Sequence, residues 1–431
     1  MKLPGRLSAA IDVLQLIEER HLPAKNALAE WGRANRFAGS KDRAAIGNLV
    51  FDILRNKSSL AWEMDDDSPR ALTLAGAVHL WGEDVDELSH AFEEDKFAPA
   101  TITEKEKKSL TTKRDEVAPA WVSANIPEWL YHAVSAQFKD GFEAEARAFS
   151  ERAPIDIRVN TLKSNREKLQ NAFSKYNANE TAFSPFGLRL PAALKEKKSP
   201  NIEADAEHGK GWFEVQDEGS QIASLLTGAK EGDQVLDYCA GAGGKTLALS
   251  SIMNNKGQIH AYDADKHRLR PIFERLKRAG CRNVQTLEAG NEAQLELLKN
   301  NMDIVLVDAP CTGTGTWRRH PDAKWRLSEK SLEDRQNEQR EVLRKAAGHV
   351  KPGGKLVYVT CSLLPSENKE QVETFLSEEQ AFTPLKFKEQ WQQSGNNAEL
   401  KSATGDDVFL TLTPNTHKTD GFFIAILQKQ G

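Results

Sequence analysis

The chain has 431 residues, 39% hydrophobic and 28% charged, with 28 Gly, 17 Pro and nine Trp. That length suits two or three domains, and the balance is too apolar for a disordered chain and too polar for a membrane-embedded one. Net charge is −5, from 58 basic and 63 acidic residues, which excludes a wholly basic nucleic-acid binder.

The charge is unevenly placed. Residues 61–100 hold 11 acids and two bases, whereas 266–282 hold seven bases and one acid, and 311–351 hold ten bases and six acids. A polyanion can be drawn to a local basic face of an acidic protein, although such clusters are also ordinary solvated helix faces. No run of 18 apolar residues and no cleavable leader is read, so neither a membrane span nor secretion is expected. The four cysteines, Cys239, Cys281, Cys311 and Cys361, are too few to staple this chain, and no CxxC or histidine cluster suggests a metal.

From the N-terminus, residues 1 to about 60 read as helical. Ala9, Val13, Leu14, Leu16 and Ile17 approximate a 3.6-residue stripe, which Pro23 interrupts. In GSKDRAAIGNLVFDILRNK, Ser40 reads as an N-cap, and Ile46, Leu49, Val50, Ile53 and Leu54 share one face. Residues 71–93 continue as helix around an acidic turn. TITEKEKKSLTTKRDEVAPA (101–120) reads as a linker or a solvated helix. IPEWLYHAVSAQF resumes helix, IDIRVNTLK (155–163) reads as a strand, and a helix follows to about residue 174. Residues 175–230 mix short strands and turns before a helix in QDEGSQIASLLTGA.

From residue 231 the rhythm becomes βαβ. Strands are expected at 234–239, 257–263, 283–289, 302–310, 353–361 and 421–429, with a helix at 328–349. This alternation predicts a mostly parallel sheet covered on both faces, with ligands outside the carboxyl ends of its strands. The first strand ends in LDYCAGAGGKT (236–246), where Gly241, Gly243 and Gly244 suit a tight turn that a ligand can approach closely. The spacing is neither that of a phosphate loop nor a full GxGxxG. Asp263, 20 residues beyond Gly243, is placed to accept hydrogen bonds from ribose hydroxyls. An adenosine-containing cofactor fits, and both S-adenosylmethionine and a dinucleotide satisfy these residues.

The fourth strand runs into DAPCTGTGTWRRHPDAKWRL (308–327). Arg318, Arg319, Lys324 and Arg326 are candidate phosphate contacts; Trp317 and Trp325 are candidate base stackers or core anchors. The fifth strand delivers Cys361 in VTCSLLPSENK, while Cys281 reads as packing. Thiols at neighbouring strand ends suit one chemistry. A thiolate adding to carbon 6 of cytosine makes carbon 5 nucleophilic enough to attack a methyl sulfonium, and the thiol then leaves by elimination. Asp308 could bond to the N3 edge and the exocyclic amine if it or the ring is protonated as addition proceeds.

LDYCAGAGGKT, DAPCTGTGTWRRHPD and VTCSLLPSEN, with RVNTLK (158–163), FEVQDEGSQ (213–221) and DGFFIA (420–425), resemble the RsmB/NOP2/Sun family of RNA cytosine-5 methyltransferases over roughly residues 150–431. DRAAIGNLVFDILR (42–55) is more weakly similar to the helical NusB-like domain of bacterial rRNA members. The resemblance implies an α/β fold: a Rossmann-like class I methyltransferase sheet at 226–431, a small α+β RNA-facing domain at 121–225 carrying Arg158 and Asn160, and an all-α NusB-like domain at 1–120.

It also implies roles. Cys361 attacks and Cys311 resolves the adduct; sequence logic alone leaves these open, since DNA cytosine methyltransferases attack with the cysteine of a Pro-Cys motif. Asp308 holds the base and Lys245 lines its pocket. Cys239, Ala240, Gly241, Ala242, Gly243, Gly244 and Lys245, with Asp263, Arg268 and Asp308, surround S-adenosylmethionine. The family commonly places an Asp after the third strand to contact adenine; here Asn291 stands in that neighbourhood and is expected to serve instead. The partner implied is structured RNA, specifically small-subunit rRNA, with tRNA methylation and a non-catalytic assembly role as alternatives. A cytoplasmic monomer without metal or membrane association is expected.

Overall fold

The computed structural model describes residues 1–138, 141–396 and 398–431. The chain packs as two units. The first gathers residues 1–153, 192–199 and 316–327; the second gathers 154–191, 200–315 and 328–431.

The first unit is helical. Helices Leu3–Arg20, Ala24–Ala34 and Ser40–Arg55 open it. The expected stripe of Ile46, Leu49, Val50, Ile53 and Leu54 is buried in one core with Leu7, Val13, Trp31 and Leu74. The third helix starts at Ser40 itself, so Gly39, not Ser40, is its N-cap. Within 101–120 the chain forms helix Glu104–Thr111, fixed by a capping box between Thr103 and Glu106. Leu110 is buried, and Arg70 Nε donates to Glu106 at 2.7 Å. The segment is thus anchored to the helical core rather than a free linker. Short helices at Ala120–Ser123, Glu128–Ser135 and Phe142–Phe149 follow.

The second unit holds two sheets. Strands β1 (Ile155–Val159), β2 (Asn179–Glu180), β3 (Gly187–Leu190) and β4 (Phe213–Val215) form a small antiparallel sheet in the order β2-β3-β1-β4. Its core is Ile157, Leu169, Phe173 and Phe213. Eight strands among the described residues form the larger sheet: β5 (Gln234–Asp237), β6 (Gln258–Ala261), β7 (Val284–Thr286), β8 (Met302–Asp308), β9 (Val350–Thr360), β10 (Phe382–Leu385), β11 (Leu410–Leu412) and β12 (Phe422–Lys429). Their order is β10-β12-β9-β8-β5-β6-β7, with β11 on β12.

Strands β5 to β9 run parallel, and β12 returns antiparallel against β9. Ile304, Val305, Leu306 and Val307 of β8 are all buried, the continuous apolar run of a strand covered on both faces. The chain proceeds from β5 outward through β6 and β7, then returns to lay β8 on the other side of β5. Connections therefore diverge at the carboxyl ends of β5 and β8, which opens a crevice there. Strand β9 begins at Val350, earlier than the expected 353, and absorbs the KPGG turn through a register shift against β8. Among the described residues no helix is long and apolar enough to cross a membrane, and no group of three or more His, Cys, Asp or Glu is placed to hold a metal ion.

Candidate active site

Strand β5 ends at Asp237, and a tight loop carries Tyr238–Gly243 into helix Gly244–Ile252. Gly243 sits at φ +82, and a Cβ there would lie 2.5 Å from Ile272, so backbone conformation and packing both demand glycine. Gly241 N donates to Asp263 Oδ2 at 2.9 Å, and Asp265 N donates to Asp263 Oδ1 at 2.9 Å. Asp263, just beyond β6, thereby ties the glycine loop to the neighbouring strand end. Arg268 Nη2 lies 3.7 Å from the same carboxylate.

Beneath the loop, Asp237 is fully buried. Its Oδ2 accepts from Thr246 Oγ1 at 2.6 Å, while Oδ1 has no partner among the described residues. Burial pushes this carboxyl up to about 7. Cys239 is likewise pushed well above the ordinary thiol value, first by burial and then by Asp263.

A cavity of about 750 Å³ opens here, within the range that binds cofactor-sized ligands. Cys239, Asp263 and Arg268 line one part of it; Asp308, Cys311 and Cys361 line another. An acid beside a glycine turn, an aromatic wall from Tyr238 and Tyr262, and a thiol pair in the same space fit S-adenosylmethionine next to a reacting base.

The reactive residues come from β8 and β9. Asp308 is the last residue of β8, and its Oδ2 pairs with Lys245 Nζ at 2.6 Å. Lys245 is almost fully buried in the first turn of the helix after β5, so it presents a fixed cation to a half-exposed carboxylate. Cys361 directly follows β9, and its Sγ lies 3.5 Å from that of Cys311. The hydrogen bond with Cys361, followed by burial, pushes the Cys311 thiol well above its ordinary value. The two loops are stitched together: Gly315 N donates to Cys361 O at 2.9 Å, and Gly421 N donates to Gly315 O at 2.8 Å. A Cβ on Gly315 would sit 2.2 Å from the Gly421 carbonyl oxygen, which explains a glycine in this loop and in DGFFIA alike.

Several sequence candidates are placed elsewhere. Asn291 does not line the cavity; it caps helix Glu292–Glu296, accepting from Gln294 N and donating to Glu288. Cys281 lies outside the cavity and is partly buried.

The basic segment after Cys311 is largely consumed by the first unit. Trp317 is buried, Trp325 Nε1 donates to Leu54 O at 2.7 Å, and Lys324 Nζ donates to Arg55 O at 3.2 Å from a fully buried position. Trp317, Trp325 and Lys324 are therefore core anchors, not phosphate or base contacts. Arg326 pairs with Asp322 at 2.8 Å. Arg158 and Asn160 are buried as well: Arg158 Nε donates to Gln216 at 2.7 Å, and Asn160 Nδ2 donates to Gly211 O and Ala279 O at 2.8 Å each. Asn160 thereby ties β1 to the end of helix Ile272–Ala279, and Arg158 is held beside the residue that follows β4. In the basic 266–282 stretch, Arg275 and Arg278 pair with buried Glu214 of FEVQDEGSQ, and Arg275 also holds Ala242 O at 2.8 Å.

One residue at the site was missed in the sequence. Glu367, fully buried in the turn after Cys361, accepts hydrogen bonds from the loops that follow both thiols. Its signal was the acid within VTCSLLPSEN.

Residues 224–428 match the family model described as 16S rRNA methyltransferase RsmB/F, and residues 126–195 match the RsmF/B-like ferredoxin-like domain. A probable ribosomal RNA small subunit methyltransferase B from Synechocystis sp. is 31% identical over 313 residues, covering 71% of this chain and 67% of the relative. The crystal structure of PH0851 superposes with a TM-score of 0.74 at 26% identity, covering 100% of this chain and 99% of that one. NSun6 from Pyrococcus horikoshii shares the fold with a TM-score of 0.61 at 23% identity, covering 71% of this chain and 98% of its own. With the cavity, the thiol pair and the strand order all in agreement, the chain belongs to the RsmB/NOP2/Sun family and is an S-adenosylmethionine-dependent RNA (cytosine-5) methyltransferase.

Proposed function

We propose that this chain methylates carbon 5 of a cytosine in small-subunit ribosomal RNA through a covalent adduct with Cys361. The observation that carries the reading is the Cys311–Cys361 pair, 3.5 Å apart in the same cavity as Asp263 and Asp308. The ribosomal substrate is supported by the Synechocystis relative, which carries that activity in its name.

S-adenosylmethionine, held by the 239–245 loop, Asp263 and Arg268, supplies an electrophilic methyl group. The protein's own residues prepare the base. Asp308, oriented by Lys245, accepts a hydrogen bond from the exocyclic amine and, once N3 takes up a proton from water as addition proceeds, from N3–H as well. The Cys361 thiolate, hydrogen-bonded by the Cys311 thiol, adds to carbon 6, and the displaced electron pair makes carbon 5 nucleophilic.

With the methyl group on carbon 5, that carbon still carries its proton, and the second thiol removes it. Once its sulfur is bonded to carbon, Cys361 no longer holds the Cys311 hydrogen as a thiolate would, and the second thiol is freed from that hydrogen bond. Cys311 then releases its proton to water in the open cavity. As a thiolate it takes the carbon 5 proton, the electrons of that C–H bond restore the ring double bond, and Cys361 leaves as a thiolate. A thiol nucleophile must stay reduced, which supports a cytoplasmic site of action.

The test is incubation with labelled cofactor and undermethylated small-subunit rRNA or tRNA, followed by location of 5-methylcytosine. Label in small-subunit rRNA is the expected result. Label in tRNA alone would replace the substrate, and cofactor binding without transfer to any RNA would favour an assembly factor.

A further inference from the structure

Glu367 lies in the 3₁₀ turn Pro365–Glu367 and has no exposed surface, an expensive location for a carboxylate unless every lone pair is used. Its partners account for that. Oε1 accepts from Thr312 N at 2.8 Å and from Gln339 Nε2 at 3.0 Å. Oε2 accepts from the hydroxyls of Thr312 and Ser362. Thr312 immediately follows Cys311, and Ser362 immediately follows Cys361. One carboxylate thus grips the chain directly after each thiol.

The surrounding bonds all restrain the same two loops. Gln339 Nε2 also donates to Pro310 O at 2.9 Å, on the other side of Cys311. Thr314 Oγ1 accepts from Leu363 N at 2.7 Å, and Asn368 Nδ2 donates to Ser362 O at 2.9 Å. Tyr358, on β9, donates its hydroxyl to the Glu367 main-chain oxygen at 2.7 Å, which fixes the turn to the strand that delivers Cys361. The Gly315–Cys361 and Thr314–Leu363 links join the two loops directly, and Glu367 adds the bonds to the residue that follows each thiol. A displacement of about 1 Å at reacting groups is enough to cost about two orders of magnitude in rate.

From this arrangement we propose that Glu367 is a positioning residue for methyl transfer, setting the separation of Cys311 and Cys361 by binding the residues that follow them. The proposal rests on the two-thiol reading above. It assigns Glu367 no contact with RNA or cofactor, so its loss should appear in turnover and not in binding.

The experiment compares wild type with Glu367→Gln, which keeps the shape but cannot accept all four bonds, and with Thr312→Val, which removes one bond and leaves the carboxylate in place. Each is assayed for kcat, for KM of RNA and cofactor, and for affinity for phenylarsine oxide. This trivalent arsenical condenses with two adjacent thiols, releasing water with no change of oxidation state, and so reads their spacing without any methylation. Glu367→Gln should lower kcat by about 10- to 100-fold, keep both KM values within about twofold, and weaken arsenical binding by about tenfold or more. Thr312→Val should fall between it and wild type on both readouts.

Unchanged kcat, or a loss of kcat with arsenical affinity retained, would overturn the proposal. If Glu367→Gln does not fold, Thr312→Val decides: kcat and arsenical affinity must fall together, and wild-type values for both overturn the assignment. Failure of the two-thiol reading is separately visible, because wild type itself would then bind the arsenical yet methylate no RNA.

Discussion

Cys311 and Cys361, 50 residues apart in sequence, bring their sulfurs to 3.5 Å because β8 and β9 are parallel neighbours whose ends open on one cavity. Both are free thiols, so the pair is available for division of labour. Cys361→Ala should abolish methyl transfer. Cys311→Ala should instead trap a protein–RNA adduct that survives denaturing electrophoresis, because attack proceeds but the carbon 5 proton is not removed. An adduct in the Cys361 variant and none in the Cys311 variant would reverse the roles.

The Lys245–Asp308 pair makes a second expectation. With the ammonium 2.6 Å away and almost fully buried, Asp308 is held in one orientation and its negative charge is balanced. Asp308→Asn keeps the volume but loses the charge that a protonating ring would need. It should lower kcat by about 100-fold or more, the scale seen when a preorganised transition-state contact is removed. Cofactor affinity, measured by calorimetry without RNA, should change much less than kcat.

Asp263 is expected to behave in the opposite way. Its carboxylate shapes the glycine loop through Gly241 N and lines the cavity where a ribose would be received. Hydrogen bonds to charged groups contribute about 1.5–3 kcal/mol each. Asp263→Ala should therefore weaken S-adenosylmethionine binding by about 10- to 100-fold, leaving the arsenical affinity of the thiol pair near wild type. Cofactor affinity equal to wild type would remove Asp263 from the site.

Much of this site was legible because parallel sheets put their ligands at strand ends, and the strands themselves announce where they end. GQIHAYD ends on Asp263, and DAPC and TCS each close an apolar run, so Asp263, Asp308, Cys311 and Cys361 are gathered by position along the chain alone. What escaped was tertiary burial. WRRHPDAKWRL spells a basic surface in one dimension, yet Lys324 and Trp325 bond to the carbonyls of Arg55 and Leu54. Glu367 looks like any acid in a polar turn until four donors converge on it. Strands FTPL and LTL, at 382–385 and 410–412, are too short to show a period and form by pairing with β12.

Lys324 gives a test of that correction with a defined sign. Burial, and then the neighbouring Arg55 charge, lower its pKa from 10.5 to about 7; the rings of Trp317 and Trp325 lie 5.8 and 5.1 Å from its nitrogen. Between pH 7 and about 10.5 the unfolded chain therefore binds a proton at this residue that the folded chain does not. By linkage, this residue's contribution to stability rises with pH across that window, and its destabilising effect is greatest at and below pH 7. Lys324→Met, of similar length and uncharged, should stabilise the protein by about 1–3 kcal/mol at pH 7, with the gain shrinking toward pH 10. Denaturant midpoints at several pH values measure this. RNA affinity and its salt dependence should stay at wild-type values, since a phosphate-binding lysine would instead reduce the salt slope by about one unit. A reduced slope would return Lys324 to the RNA interface.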